Sequence, residues 1–310
     1  KTLYHADQVA YWAYSQRLAL ALAADAPAAL RAVASSVANN DLNLLPALPV
    51  AIVMAGLGDS RLVYVLAVVN IYGAATALML VVALRRFGAR RAPWVAALAL
   101  LLVAVPWRAI FIGYLDIGGV ALALAVLALT RPDPAGLGPG RAAGAGAVLA
   151  LLALFRRWWG IWAVAFCLAL AADAAVTAAR ARCRGWRAVR GELIGPLVVI
   201  ASAALVLVTL AAPVVVQRLS TDYGDRFAAY AAATVGERVE ALLAHYGALG
   251  LVLATASSAM LLARPATRRI GARLCLLLVL SYGLMIGIQD HSPQHGYLYD
   301  PQLLRLLGLA

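Results

Sequence analysis

The chain alternates long apolar runs with short charged stretches. About 20 apolar residues cross roughly 30 Å of hydrocarbon. On that measure the pattern predicts eight helical spans, at residues 61–84, 92–106, 115–130, 142–155, 160–179, 193–213, 247–263 and 274–288. Ahead of them, residues 8–24 set aromatic and apolar positions at near-helical spacing. Residues 222–246 repeat that character with Tyr223, Phe227, Tyr230, Leu242 and Leu243. Both stretches read as amphipathic helices lying in the membrane interface. Pro46 and Pro49 break the chain before the first span, and no internal repeat of the kind found in many transporters is visible. The predicted fold is an all-α polytopic membrane protein with about eight transmembrane helices and amphipathic helices on its outer face. Residues 1–60 form an outer, acid-bearing loop, and residues 61–310 form the bundle, with an outer loop at 214–246.

Composition points the same way. Hydrophobic residues make up 64% of the chain and charged residues 13%, with a mean hydropathy of +0.86. A soluble domain sits near about 45–50% apolar and about 25% charged, so the excess must face lipid. The net charge of +12 does not point to nucleic acid, because the arginines fall in clusters between apolar runs. Arg85, Arg86, Arg90 and Arg91 follow the first span, and Arg131 and Arg141 the third. Arg180, Arg182, Arg184, Arg187 and Arg190 follow the fifth, and Arg264, Arg268, Arg269 and Arg273 the seventh. These alternate loops hold 15 of the 26 basic residues and are cytoplasmic by the positive-inside rule. The opposite side carries all four histidines and every carboxylate except Asp133, Asp173 and Glu192. An outward-facing working surface explains that sidedness, as do longer outer loops. Heavy use of Ala, Leu, Val and Arg suits a GC-rich bacterial genome and a multi-pass protein of the bacterial inner membrane. Cys167, Cys183 and Cys275 have no metal or redox spacing.

Several places breach the apolar pattern. Residues 142–179 would be about 57 Å long as one helix, so the run must turn back, and Phe155-Arg156-Arg157-Trp158-Trp159 marks the turn. The first arm, about 21 Å long, places Arg156 and Arg157 below headgroup level in a wet cavity, or else as snorkelling interfacial anchors. Pro106-Trp107-Arg108 precedes Tyr114, Asp116 and a glycine pair at the mouth of the third span. Beyond the last span come His291, Gln294, His295 and Tyr297. Histidines four apart suit a metal on a helix, but Pro293 breaks that geometry, which leaves phosphate or hydroxyl contact. Asp7 and Asp41 each precede an apolar stretch, as helix caps or as chemistry, and Asn43 follows Asp41.

Arginines bind phosphate bidentately, tryptophans suit sugar rings or isoprenoid, and a carboxylate suits deprotonation of a hydroxyl. One reaction uses all three: attack of an acceptor hydroxyl on the anomeric carbon of a polyprenyl-phosphate sugar. A multi-span transporter for a small anionic or polar solute is the alternative.

The order of motifs also resembles a known family. An acid opens the first outer loop, and a second acid precedes Leu-Pro. Gly-Tyr-Leu-Asp at 113–116, Arg-Arg-Trp-Trp at 156–159 and Gln-His-Gly-Tyr at 294–297 follow. The chain is similar over residues 5–300 to the integral-membrane glycosyltransferases of the GT-C superfamily, in the protein-mannosyltransferase-like branch. The resemblance implies a further helix ahead of the acid loop, expected before residue 1 of this sequence. It implies Asp7 as general base, Asp41 as a positioning acid, and a polyprenyl-phosphate sugar as donor with inversion at the anomeric carbon. Where many members carry Asp-Glu, this sequence has Asp7-Gln8. The expected donor-phosphate residues are Arg156, Arg157, Arg108, His291 and His295. The expected sugar and acceptor residues are Asn43, Tyr114, Asp116, Trp158, Trp159, Gln294 and Tyr297. The expected partners are the lipid-linked sugar, a hydroxyl on a glycan, lipid or protein, and membrane lipid. No cofactor and no metal are expected, and nucleic acid is not.

Overall fold

A computed structural model describes residues 4–40, 43–88, 93–94, 115–133, 136–220 and 234–288. Among them secondary structure is helical, with no strand. The elements are α1 (Tyr4–Ala24), α2 (Ala26–Asn39), a 3-10 turn (Leu45–Ala47), α3 (Leu48–Leu57), α4 (Arg61–Val68), a π-helical turn (Val69–Gly73) and α5 (Ala74–Arg86). They continue as α6 (Ile117–Leu129), α7 (Pro139–Phe155), α8 (Arg157–Ala181), a 3-10 turn (Arg182–Arg184), α9 (Trp186–Ser220), α10 (Val235–Ala263) and α11 (Arg268–Ile288).

Three helices among the described residues are long and apolar enough to cross a membrane: Arg61–Arg86, Trp158–Arg184 and Trp186–Gln217. They cover the expected spans at 61–84, 160–179 and 193–213. Residues 92–106 lie outside the described residues apart from 93–94. Helices α6 and α7, with 13 and 17 residues, reach only about 20 and 26 Å, short of the hydrocarbon thickness. The expected spans at 247–263 and 274–288 are helical, within α10 and α11. Helix α10 begins well before its apolar run because charged residues are good helix formers and Thr234 caps it. The Thr234 hydroxyl accepts the Glu237 N–H at 3.2 Å, and the Glu237 carboxylate accepts the Thr234 N–H at 2.6 Å. These bonds, the backbone one foremost, hold the Glu237 carboxyl below the usual carboxylate range.

Helices α7, α8 and α9 fix the direction of the chain. A Cβ added at Gly195 would meet Leu137, and one at Gly146 would meet the Val199–Ala203 backbone. Leu154 shares a core cluster with Ala211 and Val214. Contacts that advance together along both helices mean that α7 and α9 run parallel. Helix α8 joins the end of one to the start of the other, so it runs back between them. The apolar run 142–179 therefore does reverse at the arginine pair, as its length requires. Arg156 is the hinge, with extended backbone (φ −153°, ψ 144°) between two helices. Helix α9 bends at Ala211 (φ −148°, ψ 29°), just ahead of Pro213, whose ring cannot sit in a straight helix.

The bundle thus has two chemically distinct ends. One carries residues 130–133, 136–141, 180–192 and 264–273. There Asp133 pairs with Arg141 (3.4 Å), and Asp173 pairs with Arg269 (3.1 Å) and Arg273 (3.8 Å). Glu192 pairs with Arg269 (3.3 Å), and Arg273 also donates to the Thr130 carbonyl (2.7 Å). The three carboxylates that the sequence sets apart from the rest are the counter-ions of the basic loops. The other end carries α1, the start of α4, Asp116 and Arg156. Helix α1 buries Tyr11, Ser15, Leu18 and Ala19, one face at helical spacing, and packs against α3.

Candidate functional site

The site grows from the reversal at residue 156. Extended backbone there turns the side chain into the bundle, where Arg156 is 4% exposed. Its Nε lies 2.9 Å from Oδ1 of Asp116, itself 2% exposed. Asp116 heads α6 but makes no side-chain cap bond to it. Its carboxylate serves the guanidinium instead, with the positive end of the helix dipole beside it. It is the one fully buried carboxylate among the described residues. Burying two charges is costly unless they pair at close range, and 2.9 Å satisfies that condition.

Helix α1 covers the pair. The Tyr11 ring centroid lies 4.8 Å from the Arg156 guanidinium carbon, within cation–π range. The next residue, Trp12, meets a second arginine. Arg61 lies 5.4 Å from the Trp12 ring and 5.2 Å from the Tyr64 ring, half-buried between them. Among the described side chains two arginines and one carboxylate therefore sit against these aromatic rings. Sequence reasoning missed Tyr11, Trp12, Arg61 and Tyr64 as site residues. A signal was present, since Arg61 stands at the start of a predicted span on the side away from the other arginine clusters.

Below the pair, small residues let aromatic side chains approach. A Cβ at Gly119 would strike the Trp159 indole, and one at Gly118 would strike the Tyr72 and Phe155 rings. Trp159 is 1% exposed and meets Trp162 edge-on at 6.4 Å, and Trp162 stacks on Phe166 at 5.4 Å. Trp158 is half-buried. Asn43 is buried too: its Nδ2 donates to the Leu154 carbonyl at 2.7 Å, and its Oδ1 accepts the Leu45 N–H at 3.0 Å. It brackets the end of α7 to the 3-10 turn. The Tyr72 hydroxyl donates to the Pro46 carbonyl at 2.6 Å and holds the same turn.

Of the residues singled out from the sequence, the structure brings together Asp116 and Arg156, with Trp159 and Asn43 in the packing around them. Asp7 lies in α1 one turn before Tyr11, and Arg157 is the first residue of α8, but their side chains lie outside the described residues. So do Asp41, Arg108, Tyr114, His291, Gln294, His295 and Tyr297. Among the described residues no group of three His, Cys, Asp or Glu side chains is placed to hold a metal ion. Comparison with protein-family models, curated proteins and solved structures gives no match to this chain.

Proposed function

We propose that the protein is a multi-pass glycosyltransferase of the bacterial inner membrane, with a GT-C-like fold, that uses a polyprenyl-phosphate sugar at the outer face. The observation that carries this reading is the Asp116–Arg156 pair buried under Tyr11, at the end of the bundle away from the arginine loops. A buried ionisable pair near membrane depth is costly and marks function more often than packing. Asp7, one turn before Tyr11 in α1, belongs to the element that covers the pair.

In this reading Asp7 takes the proton of the acceptor hydroxyl. The acceptor oxygen bonds to the anomeric carbon, the bond from that carbon to the phosphate oxygen breaks, and the phosphate leaves with the electron pair. One displacement inverts the anomeric centre. Arg156, its orientation fixed by Asp116 and Tyr11, supplies a preorganised positive field for the charge growing on the leaving phosphate. The start of α8 adds the dipole of its N-terminus.

Mass analysis of lipid extracted from the purified protein tests the class. Polyprenyl phosphate or its sugar ester is the expected finding, and an extract holding only phospholipid would count against it. Asp7→Asn should lower sugar transfer from that lipid by on the order of a hundredfold to ten-thousandfold, with the protein still accumulating in membranes. Full turnover in the variant would remove Asp7 as the base.

The orientation is testable apart from the chemistry. Cys183 is exposed in the 3-10 turn, whereas Cys167 and Cys275 are partly buried. With those two replaced by alanine, a membrane-impermeant maleimide should label Cys183 in inside-out vesicles and not in intact spheroplasts. The reverse result would put the Asp116–Arg156 end in the cytoplasm.

A further inference from the structure

The corner between α8 and α9 concentrates positive charge. Arg180, Arg182, Arg184, Arg187 and Arg190 are all exposed, and none makes an ion pair among the described residues. The carboxylates nearest in sequence are taken: Asp173 by Arg269 and Arg273, Glu192 by Arg269. The turn depends on Gly185, whose backbone (φ 90°, ψ 169°) is open essentially to glycine alone. That conformation starts α9 at once, with Trp186 at its head, 73% exposed.

Helical spacing then lays a graded strip along α9. Trp186, Arg190, Ile194 and Leu197 follow one another at four, four and three residues and are all exposed, so they share one face. The strip begins with an indole and guanidinium groups and passes into bare aliphatic side chains within about 17 Å. A nucleic acid or an acidic protein would match the charge but leave the aliphatic continuation without a partner. A phospholipid matches both, with its phosphate on the arginine forks, its glycerol region at the indole and its acyl chains along Ile194 and Leu197.

We infer that this corner is a binding site for anionic phospholipid headgroups of the leaflet it faces. The inference rests on the placement of α8 and α9 across a bilayer and is independent of the transferase chemistry. Clustered basic residues at a membrane surface each contribute about fivefold to the affinity for anionic lipid.

The test is native mass spectrometry of the full chain in a neutral detergent, titrated with dioleoyl phosphatidylglycerol or dioleoyl phosphatidylcholine. Phosphatidylglycerol should bind more than about a hundredfold more tightly, and added salt should erode that preference. The triple substitution Arg182→Gln, Arg184→Gln, Arg187→Gln should weaken phosphatidylglycerol binding on the order of a hundredfold and leave phosphatidylcholine unchanged. Replacing the same three residues with lysine should keep most of the preference, which separates lost charge from a misfolded corner. Equal binding of the two lipids by the native chain, or an unchanged preference in the glutamine variant, would overturn the assignment. So would capture of a single-stranded oligonucleotide with no preference between lipids.

Discussion

Asp116→Ala is expected to destabilise the folded protein by on the order of 3–5 kcal/mol, one of the two largest effects of a single substitution on stability. The substitution removes little volume, so the cost is electrostatic. Arg156 would stay 4% exposed, its guanidinium still under the Tyr11 ring but without the Asp116 carboxylate at 2.9 Å. The cation–π contact is present with or without Asp116, so it offsets none of the lost charge pairing. Removing both charges differs in kind. Asp116→Leu with Arg156→Met fills similar space with apolar atoms and should recover most of the stability. Thermal unfolding in detergent, monitored by tryptophan fluorescence, separates the cases: a low midpoint for Asp116→Ala and a near-native one for the double variant. Equal midpoints for the two would show that the pair is not the stabilising unit. Activity should sort them differently. Under the proposed transferase reaction the double variant, folded but without the Arg156 guanidinium, should transfer no sugar.

How much of this is legible in the sequence depends on the range of the interaction. The reversal at residue 156 follows from length alone, because 38 residues of helix cannot fit a single crossing and an arginine pair interrupts them. The helices at 61–86, 157–181 and 186–220 follow from apolar runs. The outer limits of helices do not: the apolar count starts at 193 and 247, although α9 and α10 begin at Trp186 and Val235. The separation of Asp133, Asp173 and Glu192 from the other acids is visible. Their pairing with Arg141, Arg269 and Arg273 is not, because Asp173 and Arg269 are 96 positions apart and no periodicity links them. For the same reason Asp116 and Arg156 stand out only individually, each as a polar residue at the edge of an apolar run. Nothing in the order of residues says that they bind one another. Aromatic positions in α1 read as a membrane-interface pattern, yet two of them, Tyr11 and Trp12, serve as ring faces for arginines, one from the hinge at 156 and one from α4. Asn43 stands out for its place beside Asp41. Its amide satisfies a carbonyl at the end of α7, the kind of need that any helix terminus creates and that sequence cannot assign to a donor 111 residues away.

The other large effect concerns Gly146, on the face of α7 against α9. A methyl group there would strike the Ser202 hydroxyl and the Val199 carbonyl and come within 2.9 Å of the Ala203 amide nitrogen. A side chain can rotate away, but the backbone of a neighbouring helix cannot. Close helix approach through small residues is the usual packing device in membranes, and here one residue carries it. Gly146→Ala should therefore cost about 1–3 kcal/mol through overpacking, and Gly146→Leu should prevent accumulation of folded protein. Gly144, two residues away on the exposed face, meets nothing within 4 Å. There the helix propensity of alanine outweighs any steric cost, and Gly144→Ala should stabilise by about 0.5–1 kcal/mol. The two substitutions have the same chemistry in the same helix and opposite expected signs, so a general effect on insertion cannot mimic the result. Helix α7 ends one residue before Arg156, so moving its axis also lengthens the 2.9 Å contact with Asp116. Under the proposed function Gly146→Ala should thus lose sugar transfer beyond what its fall in folded protein accounts for, with folded protein measured by size-exclusion chromatography of a fluorescent fusion. If Gly146→Ala melts no lower than Gly144→Ala, then α7 and α9 do not lie at the distance described, and the position of Arg156 loses its support from that side.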